Sequence, residues 1–219
     1  MTDFAAARRN MVDGQVRTAD VTDLRILAAM QEVPRERFLP PALSGLAYLD
    51  LDVPVGEGRG VSRRLLKPMV LAKLLQAAAI LGTDQVLDVG CATGYGAAVL
   101  ARIAGQVVAL EEDPALAKVA TEALANEPNV VVASVPLTEG WPPGSPYDVI
   151  LLEGAVEQVP PALLRQLKDG GRLLCVLGAG PGSRATIYRR SGEDIGSVTV
   201  FDASAAVLPG FIKPPEFAF

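Results

Sequence analysis

The sequence predicts an α/β fold: a doubly wound, mostly parallel sheet with an N-terminal helical and irregular extension. Three observations predict it. From Pro68 onward, short continuous apolar runs alternate with helix-like segments, the pattern of strands covered on both faces. Half of the residues are hydrophobic but only 5% are aromatic, so the core is built from Ala, Val, Leu and Ile. The 219 residues suit one domain with a modest appendage. We place the extension over residues 1–67 and the core over 68–219, the latter ending in a strand pair and a Phe-rich tail.

In chain order, Phe4–Val16 reads as a helix. Thr22 or Asp23 caps a second helix through Met30, with Leu24, Leu27 and Ala28 on its apolar face, and Pro34 restricts its continuation. Phe38–Gly60, dense in Pro and Gly, reads as a turning connector with a short strand near Leu51–Val55, too apolar to stay solvated. Met69–Ile80 is a helix stopped at Gly82. Gln85–Val89, Gln106–Leu110, Val130–Ser134 and Asp148–Leu152 are strands, with helices over Gly96–Ile103 and Pro114–Ala125. Pro160–Leu167 is a helix ended by Gly170-Gly171. Strands follow over Arg172–Leu177, Ala185–Arg189 and Val198–Ala203. Phe201, Phe211, Phe217 and Phe219 crowd the end, and we expect that tail to pack back on the core, with an oligomer contact through it as the alternative.

Composition removes several function classes. The chain has no histidine, which excludes Ser-His-Asp and Cys-His nucleophiles and histidine-based zinc sites. Its two cysteines, Cys91 and Cys175, are too few and too far apart for a metal site, and lacking an activating partner they read as buried small apolar residues. A net charge of −5 and few aromatics argue against nucleic acid. No apolar segment reaches membrane-spanning length and no signal peptide is visible, so the expectation is a cytoplasmic protein with neither membrane nor metal.

The informative stretch is Val86-Leu87-Asp88-Val89-Gly90-Cys91-Ala92-Thr93-Gly94-Tyr95-Gly96. Glycines after a strand let the backbone approach a ligand closely. A dinucleotide loop needs Gly-x-Gly-x-x-Gly, and Ala92 and Tyr95 occupy its second and third glycine positions, so that reading fails. The next strand ends in Glu111, an acid able to accept hydrogen bonds from both ribose hydroxyls. With no pyrophosphate to neutralise, Asp88 is free to face a cationic group, and S-adenosyl-L-methionine meets these demands. Taken singly, Asp88 could cap a helix, and Glu111, Glu112 and Asp113 could form an exposed acidic turn. Together, the strand, acid, glycine loop, helix and terminal acid favour the adenosyl site.

The chain also resembles the protein-L-isoaspartate O-methyltransferases, a family within the class I S-adenosylmethionine-dependent methyltransferases of Rossmann-like architecture. The resemblance runs over most of Asp20–Gly178: Arg25–Met30, Val33–Glu36, Phe38–Pro40, Ala47-Tyr48, Val53–Gly58, Val86–Tyr95, Ala109–Glu111, Gly140-Trp141, Pro146–Asp148, Val159-Pro160 and Leu167–Leu173. It implies methyl transfer to the α-carboxylate of L-isoaspartyl residues in damaged proteins, a repair reaction. It further implies cofactor contacts from Asp88, Gly90, Cys91, Ala92, Gly94, Glu111 and Glu112, and a substrate-side role for Ser62.

Three stretches depart from the family pattern. A Gly-Gln-Thr-Ile-Ser-Gln-Pro-type segment is replaced by Gly58–Pro68, which carries Arg59, Arg63, Arg64 and Lys67 and leaves the place of the Ser62 hydroxyl open. These bases either attract a carboxylate or are merely solvated. A Gly-Asp-Gly stretch is replaced by Val135-Pro136-Leu137, so Pro136 and Leu137 offer an apolar wall where an adenine-contacting aspartate is expected. Ala92 replaces the middle glycine. The reading is therefore a methyltransferase whose partner is an isoaspartyl peptide or protein. The alternatives are a small carboxylate substrate, or a non-catalytic binding protein on the same fold.

Overall fold

The computed structural model describes residues 3–58 and 61–213. Asp3 caps helix α1 (Phe4–Met11) by accepting from the Ala6 N–H, and a π-turn continues it to Val16. Asp23 caps α2 (Leu24–Glu32) through the Arg25 N–H. The buried face of α2 is not the expected one: Ile26, Leu27, Ala29 and Met30 point inward, while Leu24 is 71% exposed and Ala28 also faces out. Leu24 opens the helix at its rim, where water still reaches it.

The expected connector forms a hairpin instead of one short strand. Strands β1 (Val53–Gly58) and β2 (Val61–Leu65) pair antiparallel, with a register shift between Pro54 and Gly56. Helix α3 (Pro68–Ala78) ends earlier than the sequence suggests, because Ala79 adopts a left-handed conformation and Gly82 lies beyond the helix.

The main sheet comes next: β3 (Gln85–Val89), β4 (Gln106–Leu110), β5 (Val130–Ala133), β6 (Tyr147–Val156), β7 (Leu167–Leu177), β8 (Arg184–Ser191) and β9 (Asp194–Asp202). Their spatial order is β5-β4-β3-β6-β7-β8-β9. The first five pair in parallel; β8 and β9 add on antiparallel as the expected terminal strand pair. Helices α4 (Tyr95–Leu100), α5 (Pro114–Ala123) and α6 (Pro161–Leu164) connect them. The last is one turn, since β7 already starts at Leu167. Gly170-Gly171 therefore lie within a strand and do not end a helix.

Alternate residues of each central strand serve opposite faces. Val86, Ala109, Val149 and Leu151 join the N-terminal segments, α3 and α4 in one apolar cluster. Leu87, Val89, Leu110, Ile150 and Leu152 join Leu137, Leu163, Leu208 and Phe211 in the other. This double coverage is why the strands read as unbroken apolar runs. Phe211 is buried and Phe201 lies under Lys73, as a tail packed on the core requires; Phe217 and Phe219 fall outside the described residues. Among the described residues, no helix is long and apolar enough to cross a membrane.

The α2 face is testable by urea unfolding. Leu27→Ala should cost about 2–5 kcal/mol as a buried truncation, and Leu24→Ala should stay within about 0.5 kcal/mol.

Candidate active site

Ligands of open α/β sheets settle beyond the strand carboxyl ends where strand order reverses. Here the chain runs outward through β3, β4 and β5, then returns to lay β6 on the other side of β3. Three acids cluster at that reversal. Asp88 is in register with Ala109 of β4 and Leu151 of β6, and Glu111 and Glu153 each come two residues after those partners. A spacing of two keeps all three carboxyl groups on one face of the sheet. All three are buried.

The loop after β3 wraps back on Glu111. The Gly90 and Cys91 N–H groups donate to the Leu110 carbonyl at 2.8 and 3.1 Å, and the Ala92 N–H donates to Glu111 Oε2 at 2.9 Å. Gly90 and Gly94 have φ of +79° and +94°. The conformation calls for glycine at Gly94, where an added Cβ would also stand 2.8 Å from Leu124 Cδ1 and displace that side chain. Ala92 adopts φ +52° where the family pattern has glycine, a conformation costing an alanine about 1–2 kcal/mol. Thr93 fastens the loop to the N-terminal extension by donating from its hydroxyl to the Phe38 carbonyl at 2.6 Å.

Glu111 carries most of the fixed contacts. Its Oε1 accepts from the Asp113 N–H at 3.1 Å, and Arg63 Nη2 donates to Oε2 at 2.6 Å and to the Gly90 carbonyl at 3.1 Å. Of the basic cluster, then, Arg63 is neither solvated nor free. It is 3% exposed and locked in an ion pair with a fully buried carboxylate. Arg64 donates to the Asp52 carbonyl, while Arg59 lies outside the described residues. The exposed acidic turn is likewise not formed by Glu111, and the helix cap at this corner is Asp113, which accepts from the Ala115 and Leu116 N–H groups.

Asp88 caps no helix. Neither of its oxygens receives an N–H or O–H from the described residues, and its neighbour is the Glu153 carboxyl, whose Oε1 is equally without a donor. Burial, then the Glu153 carboxyl, hold Asp88 well above the usual carboxylate range. Burial pushes Glu153 up to about 7, against the opposing pull of its hydrogen bond to Asp88 and of Arg35 and Arg63. Arg35 is fully buried, donates to the Leu66 carbonyl at 2.8 Å and stacks 4.6 Å above the Tyr95 ring. Burial and the three surrounding acids raise the Cys91 thiol, which excludes it as a thiolate nucleophile.

The remaining expected residues ring this cluster. Glu112 Oε2 accepts from the Leu137 N–H at 3.3 Å, drawing the turn at Pro136-Leu137 toward the end of β4. Ser62 is exposed on β2 and lines a small cavity with Asp52, Arg63, Glu153, Gly154 and Leu208. Sequence reading passed over Glu153, Arg63 as a Glu111 partner, and Arg35. The signal for Glu153 was present: it succeeds the strand expected over Asp148–Leu152 as Glu111 succeeds its own.

The chain has relatives in sequence and in fold. The family pattern of protein-L-isoaspartate(D-aspartate) O-methyltransferase matches residues 7–205. The chain belongs to that family. It is 39% identical over 213 residues to protein-L-isoaspartate O-methyltransferase 1 of Rhodopseudomonas palustris strain HaA2, covering 95% of this chain and 85% of the relative. A solved protein-L-isoaspartate O-methyltransferase superposes with a TM-score of 0.80 at 24% identity, over 92% of this chain and 66% of that one, so about a third of that chain has no counterpart here. A Plasmodium falciparum structure described as an enzyme of this kind, in complex with S-adenosyl-L-homocysteine, gives 0.76 at 16% identity over 92% and 97%. These two structures show the same fold.

Carboxyls whose folded values are raised bind more protons folded than unfolded, so stability falls as pH rises through the raised range. Between about pH 4.5 and 7, the unfolding free energy measured by urea titration should decline by an amount approaching about 1.4 kcal/mol for each unit by which Glu153 is raised, and Glu153→Gln should flatten the decline.

Proposed function

We propose that this chain transfers the methyl group of S-adenosyl-L-methionine to the α-carboxylate of L-isoaspartyl residues in peptides or proteins. The observation that carries the reading is Glu111, held at the end of β4 beside the positive-φ loop of Gly90–Gly94, in a member of this family. The residues fit the cofactor. An acid beyond the second strand suits a ribose diol, a loop with glycines at Gly90 and Gly94 admits close approach, and Asp88 has buried oxygens awaiting a donor or a cation.

When bound, the cofactor supplies a methyl group activated by a sulfonium. The protein then has to position and to exclude water. Glu111 would accept from the ribose hydroxyls, which requires Arg63 to share or release Oε2. Cys91 and Ala92 lend backbone to the loop, while Glu112, Pro136 and Leu137 would wall the base. Ser62, exposed and lining the same small cavity as Glu153, would donate its hydroxyl to the acceptor carboxylate. That carboxylate is already ionised near neutrality, so attack on the methyl needs no general base, and rate comes from proximity and orientation. The absence of histidine is no obstacle.

Calorimetric titration with S-adenosyl-L-homocysteine tests the cofactor half. Wild type should bind, and Glu111→Ala should weaken binding by about tenfold or more, since a hydrogen bond to a charged group contributes about 1.5–3 kcal/mol. Unchanged affinity in that variant would refute the ribose role. For the acceptor half, methyl-ester formation on an isoaspartyl peptide should exceed that on the aspartyl isomer, and Ser62→Ala should lower kcat/KM for the peptide without altering S-adenosyl-L-homocysteine affinity.

A further inference from the structure

Glu153 has no role in the arrangement above, and Asp88 has no hydrogen-bond donor among the described residues. They sit on adjacent strands, β3 and β6, on the same face, at the point where the strand order reverses. Glu153 packs so tightly on α4 that a Cβ on Gly96 would fall 1.4 Å from its Oε1. It can neither swing toward water on that side nor find a donor there. Both oxygens of Asp88 and Oε1 of Glu153 are buried without an N–H or O–H from any described residue outside the pair.

The charges facing the pair can be named element by element. Glu111 at the end of β4 adds a third carboxylate. Arg63 on β2 is committed to that carboxylate and to the Gly90 carbonyl. Arg35, in the turn after α2, is held by the Leu66 carbonyl and the Tyr95 ring, and Tyr95 and Cys91 are neutral. Asp52, ahead of β1, and Arg64 on β2 line the small cavity on which Glu153 opens, Asp52 accepting from the Lys67 N–H and Arg64 donating to the Asp52 carbonyl. Asp88, Glu153 and Glu111 thus meet two buried guanidiniums, of which Arg35 spends its direct contacts elsewhere. Two adjoining carboxylates out of water repel strongly, whereas one shared proton turns the contact into a charge-assisted hydrogen bond.

We propose that Asp88 and Glu153 hold one proton between them in the absence of the methyl donor and release it to solvent when the sulfonium-bearing donor binds. The pair thereby senses the charge on the cofactor's sulfur. S-adenosyl-L-methionine carries one more positive charge than S-adenosyl-L-homocysteine, located at that atom. The incoming cation replaces the lost proton and keeps the buried charge constant. After methyl transfer the sulfur is neutral, the pair takes a proton back from solvent, and the product loses the interaction that favoured the donor. Methyl transfer to a carboxylate itself moves no proton, so any proton exchange on binding reports the pair. This inference rests on the cofactor reading above.

The test is calorimetric titration of the full chain with each ligand in two buffers of different ionisation enthalpy, repeated from pH 6 to 8. The donor should release more protons than the product, by up to about one per site, and its affinity relative to the product should rise with pH by up to about tenfold per unit. Glu153→Gln should bind both ligands and abolish the difference; should that variant not fold, the wild-type comparison of proton counts and of the pH dependence of the two affinities decides alone. Equal proton counts for the two ligands, or a difference that survives in Glu153→Gln, would overturn the proposal and leave the cofactor reading intact. Absence of binding by either ligand would overturn both.

Discussion

Three carboxyl groups held out of water on one face of one sheet are the constraint around which this protein is organised. Ionised groups in such a place are tolerated only when paired, hydrogen-bonded or neutralised, and each of the three is accommodated differently. Glu111 has a guanidinium and two backbone N–H groups. Asp88 and Glu153 have one another. None of this can be formed by the sheet alone. Arg63 comes from the hairpin and Arg35 from the turn after α2, so the segments preceding the core supply both buried counter-charges.

That dependence gives the N-terminal third a role beyond covering an edge. Phe38 offers its carbonyl to Thr93, Leu66 offers its carbonyl to Arg35, and Arg35 lies on Tyr95, the first residue of α4. The glycine loop and the helix after it are thus clamped from outside the sheet. A loop with positive φ at Gly90, Ala92 and Gly94 keeps its shape because partners on both sides leave no alternative, and the strain at Ala92 is offset by the hydrogen bond its N–H makes to Glu111.

Much of this was legible in the residues. Gln85–Val89 and Gln106–Leu110 form strands with the expected limits, because their apolar runs are bounded by polar residues or turns and buried on both faces. The glycine loop, Asp88 and Glu111 were readable for a related reason: their spacing is local, and the fold class places a ligand loop directly after the first strand and an acid at the end of the second. Long-range pairing was not. Nothing in the order of residues says that Arg63 meets Glu111, 48 positions away. Glu153 could be read as an acid at a strand end, but that its strand lies next to the one bearing Asp88 follows only from the sheet order. The misjudged face of α2 has the same origin, since Leu24 fits the helical period yet meets no neighbour at the helix start. The hairpin was hidden by its own glycines and proline, which signal turns more strongly than strands.

The sheet stops at β9, and its end has a consequence for how molecules of this chain meet. Among the described residues β9 pairs only with β8, and Val198 and Val200 are exposed along it. An edge of nine residues with valines showing is a template for another strand. If a second copy added itself antiparallel about Val198, Asp194 of each would fall opposite Asp202 of the other, bringing carboxylates together at both ends of the new ladder, with Asp202 already engaged by Arg184 of its own chain. Gly196 would offer no side chain in between. The strand that completes the fold therefore carries at its two ends the charges that discourage its own copying, and growth of the sheet from molecule to molecule is opposed by the sequence that closes it.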